Sequence, residues 1–210
     1  MFTLLILGTA SCAAGALWAE GAGRRLPHGA LKLLASAGFV AGALERGAVE
    51  TAYGRTVLAA LGLCWIGDAL LIGKSPTALA WGLAAFLGGH LAFAAAFYLR
   101  GLDGTLLVVA ALVLPLLAVA GTRELVREAP PRLRPAVRIY AAALVAMTVL
   151  AVASSQGPGG VFVAGGALAF AVSDVAVALD RWMGAVFPHR LWGLPLYYAA
   201  QLSFAWSVGC

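Results

Sequence analysis

The sequence is poor in charge. Of its 210 residues 11% are Asp, Glu, Lys or Arg, against about a quarter in a soluble domain, and 62% are hydrophobic. No polar stretch is long enough to fold as a domain of its own. Cysteine is scarce too: Cys12, Cys64 and Cys210 stand far apart, within or at the ends of apolar segments. They have neither metal-ligand spacing nor the density of a disulfide framework, and read as small buried hydrophobes. Also missing are a P-loop, a GxSxG elbow, an HExxH zinc motif and a Cys–His pair. Nucleotide-driven, serine-hydrolase and zinc-protease chemistries therefore lack support. The net charge of +5 is no nucleic-acid footprint, because the basic residues lie between apolar runs rather than along one face.

What the chain does have is apolar length. Eight runs approach the bilayer-spanning size: Phe2–Ala19, Leu31–Leu44, Thr56–Gly73, Thr77–Leu99, Thr105–Gly121, Val137–Ala153, Val161–Leu179 and Leu191–Val208. The expected fold is all-α, a polytopic transmembrane helix bundle forming one domain over residues 1–210. The first run follows no positive n-region, so it reads as a transmembrane helix rather than a cleaved signal, despite a faint lipoprotein-like Thr9–Cys12. Lys and Arg collect on one side: Arg24, Arg25, Lys74, Arg123, Arg127, Arg132, Arg134, Arg181 and Arg190. Arg46, Arg55 and Arg100 fall on the other. The positive-inside rule then places both termini outside and the longest loop, Thr122–Ala136, in the cytoplasm, with a bacterial inner membrane as the expected location. Pro130, Pro131 and Pro135 stop helices in that loop. The many glycines, among them Gly62, Gly67, Gly82, Gly88, Gly89, Gly165 and Gly166, are expected to let helices pack closely.

Two residues break the apolar pattern where it is most costly to do so. Asp174 lies inside VFVAGGALAFAVSDVAVALDRW (Val161–Trp182), and Asp68 inside GLCWIGDALLIGK (Gly62–Lys74). A carboxylate in a bilayer-spanning segment costs a few kcal/mol on insertion scales, so a function is the default explanation. Both spans run in the same direction, and each aspartate lies six residues before a charged residue at the span end, which puts both about 9 Å below the cytoplasmic edge. In a dry cleft two such carboxylates repel, one keeps a proton, and the pair can supply a general acid and a general base. Asp68 and Asp174 are 106 residues apart, as are Lys32 and Arg138. A 4+4 parallel duplication and a chance coincidence both fit that offset.

Other polar groups at membrane depth are few. His90 lies mid-span and either lines the same cavity or is satisfied by a neighbouring helix. Lys32 and Arg138 stand near cytoplasmic helix ends, where snorkelling and phosphate binding are both open. Tyr140, Tyr197, Tyr198 and Gln201 can supply cavity hydrogen bonds, with interfacial anchoring equally open to the adjacent tyrosines. Most of the six tryptophans mark span ends. On residues alone, an acid–base enzyme and a small proton-coupled transporter are about equally supported. Against transport, Pro115 is the one proline expected inside a helix, and no paired Gly/Pro break is evident.

At GLCWIGDALL (Gly62–Leu71), GLAAFLGGHLAF (Gly82–Phe93), AVRIY (Ala136–Tyr140), GGALAFAVSDVAVAL (Gly165–Leu179) and YYAAQ (Tyr197–Gln201) the chain resembles the YhhN family of integral-membrane lysoplasmalogenases. It departs from the family pattern at Leu33, where a proline often follows the lysine, and at Phe93, where a tyrosine usually stands. The resemblance implies hydrolysis of the vinyl-ether bond of a lysoplasmalogen, with ethanolamine or choline headgroup, to a fatty aldehyde and a glycerophospho-headgroup. It implies Asp68 and Asp174 as catalytic residues. Lys32 and Arg138 would hold the phosphate, and His90, Tyr140, Tyr197, Tyr198 and Gln201 would line the site. The implied partners are a lysophospholipid substrate and the bilayer; no cofactor or metal is required.

Overall fold

The computed structural model describes residues 1–73, 75–182 and 187–210, so Lys74, one of the positive-side residues, lies outside the described residues. Among the described residues eight α-helices run in order: α1 (Phe2–Gly21), α2 (Arg25–Glu45), α3 (Ala52–Ile72), α4 (Pro76–Leu99), α5 (Gly104–Glu128), α6 (Arg134–Ala153), α7 (Gly160–Trp182) and α8 (Phe187–Ser207). No strand occurs among the described residues. Six of the helices are long and apolar enough to cross a membrane; α2 and α8, which carry more polar residues, are not among them. The protein is an integral membrane helix bundle.

Local chemistry explains where the helices begin and stop. The side chains of Thr51, Ser75 and Asp103 accept hydrogen bonds from the backbone N–H of Gly54, Ala78 and Leu106, at 2.9, 3.0 and 2.8 Å, and so cap α3, α4 and α5. Gly47 and Gly101 follow α2 and α4 with φ of 81° and 93°, a left-handed turn that a side chain would strain. One boundary differs from expectation. Helix α5 runs on to Glu128, so much of the expected loop Thr122–Ala136 is helical. The stretch TREL-VRE is too polar for a hydropathy window but is made largely of good helix formers, and Pro130 and Pro131 then end it. A second proline, Pro195, also sits inside a helix, in α8. By the offset of 106 its counterpart is Gly89 and that of Pro115 is Thr9, and α1, α4, α5 and α8 each run as one helix through these positions, so no paired break occurs among the described residues.

Consecutive helices pair as hairpins: α1 with α2, α3 with α4, α5 with α6, and α7 with α8. The halves then interlock, α2 against α8 and α6 against α4. That is the pattern a parallel duplication gives, with each half's second helix packed on the other half's fourth. The match breaks at the outer helices. Helix α1 packs on α8, whereas α5, its counterpart, makes no contact with α4 among the described residues and is barely buried.

Glycine sets the closeness of α3 and α4. A Cβ on Gly67 would lie 2.7 Å from the Phe86 ring, one on Gly82 would lie 2.8 Å from Leu71, and one on Gly89 would lie 2.9 Å from Cys64 Sγ. Gly166 meets Phe204 in the same way, but Gly62 and Gly165 face open space and have no packing role. We expect Gly67→Val to lower the melting temperature in detergent, overpacking of this kind costing about 1–3 kcal/mol. A Gly62→Val control should melt like the parent.

Candidate active site

Asp68 is almost fully buried, and every contact it makes is a donor. Its Oδ2 accepts from Ser36 Oγ at 2.6 Å and from Tyr197 Oη at 2.7 Å. Its Oδ1 lies 3.0 Å from Lys32 Nζ. Helix periodicity puts these groups together: Lys32 and Ser36 are one turn apart on α2 and face α3, while Tyr197 comes from α8. A second tier fixes the lysine's own turn. Tyr198 Oη donates to the Lys32 carbonyl at 3.0 Å and lies 3.2 Å from Ser36 Oγ. Lys32 thus turns inward instead of snorkelling. Tyr197 and Tyr198 are buried, at 7% and 2% exposure, so they are not interfacial anchors. Asp68 thus has one cation and two hydroxyl donors around its carboxyl.

Asp174 has different company. Tyr140 Oη donates to its Oδ2 at 3.0 Å, and His90 Nε2 stands 3.3 Å from the same oxygen. His90 is fully buried, and its Nδ1 contacts the Phe86 carbonyl at 2.6 Å, a contact in which the ring nitrogen must be the donor. That assignment leaves Nε2 turned to the carboxyl without a proton of its own unless the ring is charged. The Nε2–Oδ2 contact has ion-pair distance but not hydrogen-bond alignment, and Nε2 has no other partner. The ring nitrogen and the carboxyl oxygen face one another there at 3.3 Å, an arrangement that a proton on either would bridge.

The two clusters meet at an aromatic wall rather than at the carboxylates. The His90 ring packs on Phe170 at 4.7 Å, and Phe170 packs edge-on to Tyr197 at 5.6 Å. Phe86, whose carbonyl accepts the hydrogen bond from His90 Nδ1, also packs edge-on to Tyr197 at 6.0 Å. Among the described residues the aspartates share no hydrogen-bond partner, and each is furnished separately. Topology explains it. Asp68 on α3 draws partners from α2 and α8, and Asp174 on α7 draws partners from α6 and α4, each taking one partner helix from the other half.

Gln201 lies one turn beyond Tyr197 on α8. It is fully buried, and both amide atoms lack a hydrogen-bond partner. His90 Nε2 and the Gln201 amide are thus buried polar groups without a hydrogen-bond partner.

Arg138 is not brought in. It stands two residues from Tyr140, about 200° around the helix, and lines a groove between α5 and α6. The core-facing stripe of α6 is instead Tyr140, Leu144, Met147 and Ala151. One contributor escaped the sequence reading altogether. Ser36 is a lone hydroxyl in KLLASAG, and its only signal was its place one turn after Lys32. Neither the α5–α6 groove nor the shallow hollow at Leu17 and Trp18 is lined by an aspartate.

A family model matches residues 28–208, which include every residue of both clusters. This chain is a member of the YhhN family. No curated protein and no solved structure matches it. The part of this YhhN protein outside the matched region is essentially α1, which contributes no side chain to either aspartate.

Proposed function

We propose that this YhhN-family protein hydrolyses the vinyl-ether bond of a lysoplasmalogen, releasing a fatty aldehyde and glycerophospho-ethanolamine or glycerophospho-choline. Family membership is consistent with an activity of that type. The single observation that carries the reading is the unequal furnishing of the two intramembrane aspartates, Asp68 tied to a cation and two hydroxyls, and half-buried Asp174 set between a tyrosine hydroxyl and a histidine nitrogen.

Vinyl-ether hydrolysis needs that inequality. The slow step moves a proton to the β-carbon of the enol ether and leaves an oxocarbenium ion. Asp174 is the proton donor, with His90 behind it as the other holder of the same proton and Tyr140 fixing the carboxyl plane. Asp68, paired with Lys32, stabilises the cation and orients water, a division of labour close to that of two-carboxylate glycosidases. Water adds to the cation, its surplus proton returns to the Asp174–His90 pair, and the hemiacetal separates into aldehyde and alcohol. The unpaired Gln201 amide receives the water or the glycerol hydroxyl. Lys32 Nζ uses one donor on Asp68 and has others for the phosphate. The alkenyl tail lies between apolar helices. Arg138 has no part in this scheme. The positive-inside orientation places the site toward the cytoplasm with both termini outside, in a bacterial inner membrane.

The test is aldehyde release from a lysoplasmenyl-phospholipid by detergent-purified protein in D2O, with the aldehyde trapped by immediate reduction. Protonation at carbon puts one deuterium on the carbon next to the carbonyl. That label, together with turnover, is the expected result. Aldehyde without the label rejects carbon protonation, and no aldehyde from folded protein with either headgroup rejects the hydrolase reading in favour of proton-coupled transport.

A further inference from the structure

The chain's basic side chains are not spread evenly along its positive edge. Arg123 and Arg127 from the end of α5, and Arg134 and Arg138 from the start of α6, line a single groove of about 990 Å³. The remainder of the groove is apolar, running down past Val119 and Ala118 to Pro115 and Ala111. It lies where the two halves of the fold differ. In the first half α1 closes on α2, with Gly15 against Leu31 and Gly38 against Thr9. In the second half the α5–α6 pair is looser, α5 misses α4, and the space stays open. Two of the arginines are already engaged: Arg134 donates to the backbone carbonyls of Ala129 and Arg127, and Arg127 pairs with exposed Glu124 at 3.4 Å. Among the described residues Arg123 and Arg138 have no hydrogen-bond or ion-pair partner.

We propose that this groove binds an anionic phospholipid, with the headgroup phosphate on Arg123 and Arg138 and an acyl chain along the apolar floor. Charge selects the occupant. A second copy of the chain packed on the same face would bring four guanidinium groups against four others. A free anion would use the arginines but leave the floor uncovered. A lipid with a negative headgroup satisfies both ends, since guanidinium groups bind phosphate oxygens through several N–H donors and basic pockets between spans suit acidic headgroups. The groove is also distinct from the aspartate site, because Arg138 and Tyr140 face opposite ways from α6.

The test compares retention of phosphatidylglycerol and phosphatidylcholine by the full-length protein in native mass spectrometry. The unmodified protein should hold phosphatidylglycerol preferentially. Arg123→Gln with Arg138→Gln should lose about thirtyfold of that preference, the effect of two basic residues at an anionic surface. Arg123→Lys with Arg138→Lys keeps the charge and should keep most of the binding, which separates lost charge from lost folding. Equal retention of the two lipids by the unmodified protein overturns the proposal, as does undiminished preference in the glutamine variant. Displacement of phosphatidylglycerol by millimolar inorganic phosphate also overturns it, by making the site one for a free anion.

Discussion

Asp174→Asn is expected to slow aldehyde release by about 10²–10⁴-fold while leaving the melting temperature within a degree or two of the parent. General acid catalysis by a positioned group is worth about that much. The amide keeps the shape of the carboxyl, and with its nitrogen in the place of Oδ2 its two N–H groups can donate to His90 Nε2 and to a turned Tyr140 hydroxyl, so little packing changes. What is lost is the exchangeable proton. The amide N–H can donate to His90 Nε2, which satisfies the ring and keeps the cluster folded, but an amide cannot protonate an enol ether. His90→Gln should fall less far, because Asp174 remains an acid and only its partner in holding the proton has gone. If Asp174→Asn retained parental turnover with the same deuterium label, the acid would have to be sought elsewhere, and Asp68 is the remaining buried carboxyl. The roles of the two aspartates are exchangeable on sequence grounds; the assignment proposed rests on their different neighbours.

That difference shows where the sequence stops being informative. The intramembrane aspartates were legible because a carboxylate in an apolar run has no cheap explanation, and the spans were legible because hydropathy integrates over some twenty residues. Helix rotation is a different kind of information. Arg138 matched Lys32 by an offset of 106 residues, but the offset says nothing about which face each presents, and Arg138 faces α5 while Tyr140 takes the inward position. Tyr197 and Tyr198 are adjacent in sequence and 100° apart on α8, which suggests that one should face lipid. Both are buried because α8 is contacted by α1, α2, α3 and α7, leaving little of it exposed at that level. Ser36 was invisible for a third reason: one hydroxyl in an apolar helix usually bonds its own backbone, and only its approach to Asp68 gives it a role. The extra turns of α5 are the converse, helix without hydrophobicity.

Lys32 carries the second large effect, and it falls on stability before it falls on catalysis. Removing the ammonium with Lys32→Met keeps the length and apolar bulk of the stem but leaves Asp68 as a buried carboxylate without its cation. Breaking one side of a buried ion pair costs about 3–5 kcal/mol, because the surviving charge is stranded. Ser36 and Tyr197 continue to donate to Asp68, which offsets part of that cost, and Tyr198 continues to hold the Lys32 carbonyl. The melting temperature of Lys32→Met in detergent is therefore expected to drop by many degrees. Adding Asp68→Asn removes the stranded charge and should restore most of the loss, although the double variant lacks the anion that stabilises the oxocarbenium ion and stays inactive. Recovery of stability without recovery of turnover is the signature of a charge pair whose negative member works in catalysis. If the double variant melted as low as Lys32→Met, the lysine would be acting through its packing, and the cation on Asp68 would be incidental to the fold.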